Sequence, residues 1–361
     1  FLLCAASFGL LMASAWNESA IMDELAHIPA GYGYVRFLDF RLNPEHPPIV
    51  KALAALPLLL TQPNFPVSHS SWTKDVNGQW EAGAQFLYHS GNDAQKIVRT
   101  SRLFPVLLTI LLVFLIYFWA EKLLGRWWAF LPALLFGFSP TVLAHGHYVT
   151  TDIGAALGVV LATYFFVRFL ELPTIRNIFI SGLALGVALG LKFSTVLLLP
   201  YFGILLFFWV IAAGKTSNLR EKLRLFARLL YKFIFVSAVA LFLVIYPLYA
   251  LFTINYPAEK QLADTSLILG SFSGGPTPEG NFCKGTRCLA ELDILLTQNA
   301  VTRPLAEYLL GNSDVVRDLN FPASSTASQT SFRYYVDRAG SQSLFDTYVS
   351  HEYPAKGQGQ W

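Results

Sequence analysis

Two adjacent carboxylates, Asp23 and Glu24, follow directly after the first apolar run of the sequence, and His27 comes about one helical turn later. On a helix, Asp23 and His27 share one face because they are four positions apart. A carboxylate there can take a proton during a reaction. A zinc site would need a second histidine at helical spacing, which this segment lacks. The alternative interpretation is a helix end whose carboxylates are simply solvated.

A second motif, Asn43-Pro-Glu-His-Pro-Pro-Ile-Val-Lys51, contains two candidate cations, His46 and Lys51. Each proline fixes its own φ and removes a hydrogen-bond donor, so the motif predicts a structured loop rather than a helix interior. The following stretch, 49–60, is apolar except for Lys51, and it is long enough for an interfacial helix but too short for a membrane crossing. Lys51 then either faces a lipid headgroup or reaches back to the membrane surface from an amphipathic helix.

Polar residues also mark the ends of later apolar runs. Arg102 precedes the second run, where it is either an interfacial anchor or a phosphate ligand, since its planar fork suits bidentate phosphate binding. The short segment His145-Gly-His147-Tyr-Val-Thr-Thr-Asp152 predicts residues at the mouth of a bundle, with Asp152 either capping the next helix or lining a cavity. Lys192 separates two further runs and marks either a turn or an anion site.

The composition predicts an all-α, polytopic membrane protein. Charged residues make up 14% of the chain, whereas an ordinary soluble domain has about a quarter. Seven apolar runs predict seven crossings, of which the shortest is the fifth: 1–16, 103–119, 127–144, 153–170, 178–191, 193–213 and 233–252. The first run is expected to be a retained helix rather than a secretory signal, because it shows neither a basic leader nor a small-residue cleavage site.

The charges of the loops predict the orientation, because Lys and Arg are retained on the cytoplasmic side. Three loops are basic: 122–126, 168–176 and 214–232. The opposite side then holds 17–101 (the first loop), 145–151 (the second loop) and 253–361. The first loop contains eight acids and six bases, so it lacks the basic excess of a cytoplasmic loop. The candidate residues described above therefore gather on the extracytoplasmic side.

The predicted organisation is a membrane core over 1–252, followed by an extracytoplasmic segment over 253–361. The chain begins with Phe and ends in a polar stretch, so we expect a fragment. Cys4 lies in the first apolar run and is expected to be a small apolar residue. Cys283 and Cys288 lie in a compartment that can be oxidising, and a local disulfide is favoured over a metal site, which would need two more ligands.

Two further patterns concern packing and partners. Gly182, Gly186 and Gly190 repeat every fourth residue and predict a face where helices pack closely. The sequence has no basic stripe with interleaved aromatic residues, so nothing indicates a nucleic-acid partner.

Taken together, these motifs resemble the bacterial membrane glycosyltransferases of the dolichyl-phosphate-mannose protein mannosyltransferase type. This group belongs to the GT-C superfamily, which also includes the aminoarabinose transferase of lipid A. The resemblance rests on the Asp23-Glu24 pair, the Asn43 to Lys51 motif, the Arg102 segment, the His145 to Asp152 segment, Leu191-Lys-Phe-Ser194 and Arg303-Pro-Leu-Ala-Glu-Tyr308. Family members usually continue with further membrane helices beyond the point where this chain stops.

The resemblance implies a GT-C-like bundle that moves a sugar, by inversion, from a polyprenyl-phosphate donor to an acceptor on the extracytoplasmic face of a bacterial inner membrane. Asp23 matches the catalytic base, with Glu24 beside it. The other expected site residues are His46, Lys51, Arg102 and Lys192 at the donor phosphate and His27, His145, His147 and Asp152 in the cavity. Sugar transfer needs both kinds of group: a carboxylate for the acceptor proton and cations for the leaving phosphate.

Partners and alternatives follow from the same interpretation. The expected partners are the lipid-linked donor, membrane lipid and a protein acceptor, with lipid A or a surface glycan as the alternative acceptor. No cofactor is expected, although Asp23, Glu24 and Asp152 could together hold a divalent ion. A transporter is the rival outside enzymes, but it should show ionisable groups near the midplane and related repeats. The sequence shows neither.

Overall fold

The computed structural model describes residues 2–16, 18–213, 218–273 and 286–320, and within these ranges the chain forms helices and no strand. Residues 1–313 form one unit, which contains every side chain discussed below. A second unit, 314–361, is described only over 314–320, which is helical. The predicted all-α class is confirmed.

The helices follow one another with short connections. In chain order they are α1 (Leu2–Ala15), α2 (Met22–Phe37), α3 (Pro48–Ala55), α4 (Leu58–Thr61), α5 (Ser70–Thr73), α6 (Gln79–Ala84), α7 (Ala94–Leu124), α8 (Phe130–Gly137), α9 (Pro140–His145), α10 (Asp152–Glu171), α11 (Ile175–Leu191), α12 (Leu198–Ala213), α13 (Leu219–Ala240), α14 (Tyr246–Phe252), α15 (Ala258–Ser273), α16 (Thr286–Thr297) and α17 (Arg303–Asn320).

Four helical stretches in the described part of the chain are long and apolar enough to cross a membrane: Ala94–Leu124, Asp152–Glu171, Phe193–Ala212 and Leu219–Phe252. They contain the predicted runs 103–119 and 153–170, and nearly all of the two later long runs. The predicted runs 1–16 and 178–191 form the shorter apolar helices α1 and α11. The chain is thus a multi-pass membrane protein, and the count of seven crossings stays a prediction.

The run 127–144 does not form one helix, because it divides into α8 and α9. Ser139 lies at the break with φ −59° and ψ 132°, directly before Pro140. A residue before proline is pushed out of the helical region by a clash with the proline ring, which explains the break. With eight and six residues, neither helix spans about 30 Å of hydrocarbon alone.

One face of α7 carries large apolar side chains that the protein leaves uncovered. Leu107, Leu111, Phe114 and Phe118 are 37–56% exposed and recur at intervals of three and four residues. This spacing places them on one stripe of the helix. In water such a stripe would be unfavourable, whereas in a bilayer it contacts lipid.

The glycine repeat lies where the sequence predicted a close-packed face. A Cβ atom at Gly182 or Gly186 would stand 2.6 Å from the side chains of Val239 and Val244, and one at Gly190 would stand 2.5 Å from Ile49. These distances are shorter than real Cβ contacts, so larger side chains would force the helices apart. The predicted packing role of the repeat is confirmed.

In the first loop, α2 and α3 pack directly against each other at Gly31. A Cβ atom at Gly31 would lie 2.1 Å from the carbonyl oxygen of Lys51, so only glycine allows this approach. The predicted interfacial stretch 49–60 forms α3 and α4, which are separated at Leu56 and Pro57. This arrangement brings the Asn43 to Lys51 motif against the helix that begins with Asp23 and Glu24.

Helix α17 packs against the same region. A Cβ atom at Gly311 would lie 2.1 Å from the ring of Phe193 and 2.6 Å from the carbonyl oxygen of Pro44. Tyr308 also contacts the Phe193 ring, at 5.8 Å between centroids. The segment beginning at Arg303 therefore reaches both the first loop and the residue next to Lys192.

Candidate active site

Asp23 and Glu24 occupy the first turn of α2, but their side chains point in different directions. Successive residues on a helix are about 100° apart, so neighbours cannot share one face. Asp23 is exposed, while Glu24 is fully buried. Glu24 also accepts a hydrogen bond from the backbone N–H of Ile21 at 3.0 Å, which ties it to the start of its own helix.

The buried carboxylate of Glu24 forms a two-point ion pair with Arg102 of α7. Arg102 Nε donates to Glu24 Oε1 at 2.9 Å, and Nη2 donates to Oε2 at 2.7 Å. The other three N–H groups donate to the backbone carbonyls of Ala15, Glu18 and Ser19 at 2.8–3.2 Å. A guanidinium has five donors, so all five have partners inside the protein.

These contacts indicate a structural role for Arg102, besides the two roles that the sequence suggested, an interfacial anchor and a phosphate ligand. A direct bond to a donor phosphate would require at least one of its five N–H groups to leave a protein acceptor. Both Arg102 and Glu24 are fully buried, and a buried charge depends strongly on its partner. Phosphate binding by Arg102 stays a prediction, and the contacts themselves support a role in holding Glu24 and the chain between α1 and α2.

Glu24 and His27 together hold the second loop at Val149. The N–H of Val149 donates to Glu24 Oε1 at 3.1 Å, and its carbonyl oxygen lies 2.7 Å from His27 Nδ1. A carbonyl only accepts, so Nδ1 carries the hydrogen of the His27 ring. The second loop is thereby fixed on both sides of one residue by the helix that carries Asp23.

His46 packs edge-on against His27, with ring centroids 5.1 Å apart and an interplanar angle of 81°. Burial, with further contributions from His27 and Lys51, lowers the pKa of His46 to about 2. Burial and the charge of Lys51 lower the pKa of His27 to about 4. Both imidazoles are therefore neutral at neutral pH, and His46 can offer a donor phosphate a hydrogen bond but no positive charge.

These two histidines predict a loss of stability in acid. Their ordinary pKa is 6.5, so between pH 6.5 and about 4 the unfolded chain binds protons that the folded chain does not, and folding stability falls as the pH falls. Each imidazole contributes at most about 1.4 kcal/mol per pH unit in that window. We expect the thermal midpoint of the purified protein to drop more steeply from pH 7 to 5 than that of His46→Gln.

The matched control for this comparison is His89→Gln, because His89 is exposed. It should keep the pH dependence of the wild type. An identical slope for wild type and His46→Gln would mean that His46 is protonated in the folded protein, and the phosphate-side cation would then have to be reconsidered.

Lys51 is fully buried, so the interpretation that it reaches the membrane surface is wrong. Its ammonium lies 2.7 Å from the carbonyl oxygen of His46, 2.7–2.8 Å from the Oδ1 and carbonyl oxygen of Asn43, and 2.9 Å from the hydroxyl of Tyr34. Asn43 has a φ of 54°, a left-handed conformation that asparagine tolerates. Lys51 thus links Asn43 and His46 within the motif loop, and its N–H donors already have acceptors there.

Of the four residues predicted at the donor phosphate, Lys192 is a cation whose side chain is partly accessible. Its side chain is 28% exposed, and Nζ donates to Asp152 Oδ1 at 2.5 Å. Asp152 is 66% exposed and is the first residue of α10 rather than its cap. The interpretation of Asp152 as a cap alone is therefore wrong.

The Asp152–Lys192 pair is close enough to Asp23 for the charges to interact. Although Asp23 is exposed, partial burial raises the pKa of its carboxyl, and the negative charges of Asp152 and Glu24 raise it further, while Lys192 lowers it. Three segments far apart in sequence thus lie within electrostatic range of one another: the start of α2, the start of α10 and the residue after α11. A raised pKa makes a carboxylate a better proton acceptor.

The remaining predicted residues divide into buried and exposed ones. His147 is fully buried, and its Nε2 lies 2.7 Å from Glu18 Oε2, an acid that the sequence analysis missed. His145 is exposed at the end of α9. Cys283 lies outside the described residues, so its disulfide with Cys288 stays a prediction.

A divalent ion fits this arrangement poorly. Glu24, one of three acids that could share an ion, is turned inward and bound by Arg102 and Val149. Among the described residues no group of three or more His, Cys, Asp or Glu side chains is arranged to hold a metal.

The described helices thus form a membrane bundle in which the exposed Asp23 carboxylate lies within electrostatic range of the Lys192–Asp152 pair. The chain matches the family described as dolichyl-phosphate-mannose-protein mannosyltransferase over residues 11–263, well over half of its length, and it belongs to that family. It is therefore a membrane glycosyltransferase of the mannosyltransferase type. No curated protein gave a significant match.

Proposed function

We propose that this chain moves mannose from a polyprenyl-phosphate carrier to a hydroxyl group of a protein acceptor. The observation that supports this most directly is that the exposed Asp23 carboxylate lies within electrostatic range of the Asp152–Lys192 ion pair. Asp23 can accept a proton, and Lys192 can balance the charge of a phosphate. Family membership supports mannose and a protein acceptor in general terms.

In the proposed reaction, Asp23 accepts the proton of the acceptor hydroxyl as its oxygen attacks the anomeric carbon. The new carbon–oxygen bond forms on the face opposite the carrier, so the bond to the phosphate oxygen breaks with inversion. The phosphate leaves with the bonding electron pair, and Lys192 stabilises the charge that develops there. Asp152 holds Lys192 in place until the donor arrives.

The buried groups support this site without entering the reaction. Glu24, fixed by Arg102, and His27 hold Val149 of the second loop. Lys51 holds the loop that carries His46. The neutral His46 ring then remains available as a hydrogen-bond partner for the donor.

The direct test is the release of polyprenyl phosphate by membranes that contain the full-length protein. Polyprenyl-phosphate mannose is supplied with or without a hydroxyl-bearing peptide, and membranes without the protein are the control. Release that depends on the peptide, with mannose found on the peptide, is the expected result. Release that depends instead on lipid A or a surface glycan would assign a different acceptor, and no release with any acceptor would overturn the proposal.

We place the site on the extracytoplasmic side of a bacterial inner membrane, because the stretch 214–232 carries six basic residues and one acid. A cysteine at Lys74, which is exposed in the first loop, should react with an impermeant thiol reagent in intact cells. A cysteine at Glu221, exposed in the first turn of α13, should react only after the cells are opened. Mass spectrometry of the modified peptides separates these sites from the native cysteines, and the reverse pattern would invert the orientation.

A further inference from the structure

Glu18 lies in the short connection between α1 and α2, where nothing in the sequence motifs marks it. Its Oε2 faces His147 Nε2 at 2.7 Å and Arg102 Nη1 at 3.9 Å, and its Oε1 accepts from Ser14 at 3.2 Å. Burial alone would raise the pKa of Glu18, but hydrogen bonds from His147 and Tyr148 outweigh this effect and lower it. The carboxylate is therefore ionised and held by groups of the second loop.

The ring of His147 shows which of its nitrogens serves this contact. A carboxylate only accepts, so Nε2 must carry the hydrogen. His147 is fully buried, and its Nδ1 has no hydrogen-bond partner among the described residues. A hydrogen on Nδ1 would be buried without an acceptor, which is unfavourable. The histidine thus uses a single bond, to Glu18, to fix its orientation.

His147 is the first residue of a six-residue segment, His147 to Asp152, that ends at the proposed site. Val149 is held by Glu24 and His27, and Asp152, the first residue of α10, binds Lys192. The backbone at the beginning of this segment is held by Thr109, whose hydroxyl donates to the carbonyl oxygen of Gly146 at 2.7 Å. The Glu18 contact is the hydrogen bond that fixes the His147 ring, since the other ring nitrogen has no partner among the described residues.

We propose that Glu18 is a positioning residue, which acts through His147 to place the second loop so that Asp152 and Lys192 face Asp23. This inference rests on the proposed function for its effect on turnover. Its structural content, the placement of the second loop, can be measured separately.

The first experiment compares mannose transfer by the full-length protein and its variants. Glu18→Leu should lower the rate roughly 10- to 100-fold, since small displacements of reacting groups have effects of this size. Glu18→Gln keeps an oxygen that can accept from His147, so it should restore most of the lost rate. Glu171→Leu is the matched control, because Glu171 is a similarly exposed acid outside the site.

A double-mutant comparison of Glu18→Leu and His147→Phe tests whether Glu18 acts through His147. If it does, the losses from Glu18→Leu and His147→Phe should not add in the double variant, because both remove the same contact. Fully additive losses would show that Glu18 works independently of His147 and would overturn the proposal.

The third measurement needs no activity. Thr151 lies in the second loop and is 3% exposed, so a cysteine at this position should react slowly with a maleimide in the full-length protein. Adding Glu18→Leu should speed labelling roughly tenfold, whereas Glu18→Gln should not. If Glu18→Leu speeds labelling but the wild type transfers no mannose, the proposed function is wrong and the positioning role of Glu18 stands. If Glu18→Leu changes neither labelling nor mannose transfer, the positioning role of Glu18 is overturned.

Discussion

Asp23→Asn is expected to abolish mannose transfer while expression and membrane insertion stay unchanged. The amide matches the carboxylate in shape but cannot accept a proton, and general base catalysis contributes roughly 10²- to 10⁴-fold. Because Asp23 is exposed, the replacement disturbs little packing. Initial rates at saturating donor and acceptor give the loss directly.

Asp75→Asn is the matched control, since Asp75 is an exposed acid of the same loop. It should transfer mannose like the wild type. If Asp23→Asn keeps activity within about tenfold of the wild type, below the range for a general base, Asp23 is not the base. The role would then pass to Asp152, whose carboxylate is also exposed and nearby.

Arg102→Met should have the largest effect on stability, because it leaves the Glu24 carboxylate buried without its charged partner. Removing one member of a buried pair costs about 3–5 kcal/mol, and three backbone carbonyls also lose their donors. We expect a low yield of folded protein and a lower thermal midpoint in detergent.

Two companion variants separate this structural role from phosphate binding. Adding Glu24→Leu to Arg102→Met should recover part of the lost stability, because no unpaired charge then stays buried. Arg102→Lys keeps the charge but cannot make five directed bonds, so it should lose thermal stability together with transfer. An Arg102→Lys protein with wild-type stability and weakened donor binding would instead show that Arg102 contacts the phosphate.

Sequence motifs predicted which segments meet at the site, and their order along the chain explains why. Asp23 and Lys192 follow the first and fifth apolar runs, and Asp152 precedes the fourth, so helices that alternate in direction bring all three to one side. The direction of each side chain could not be predicted in this way. Asp23 and Glu24 look equivalent in the sequence, and only the structure shows that Glu24 faces inward, toward Arg102 and Val149.

The burial of charged side chains and the identity of their partners also could not be predicted from the sequence. Lys51 appeared as a cation at the membrane surface, yet the approach of α2 and α3 at Gly31 encloses it completely. Glu18 carried no recognisable pattern, because its partner His147 is 129 residues away. Contacts between distant segments depend on the packing of the whole bundle, which periodicity and motif spacing do not encode.

The length of α7 indicates the depth in the membrane at which the candidate site lies. Arg102 and Lys122 both lie on this helix, twenty residues apart and thus separated by about 30 Å along its axis. That distance equals the hydrocarbon thickness of an ordinary bilayer, about 30 Å. If Lys122 lies at one boundary of the hydrocarbon, the Arg102–Glu24 pair lies near the other boundary, where the headgroup layer begins. The lipid carrier proposed above keeps its tail in the bilayer and its phosphate in the headgroup layer, so such a donor would reach the site without leaving its leaflet.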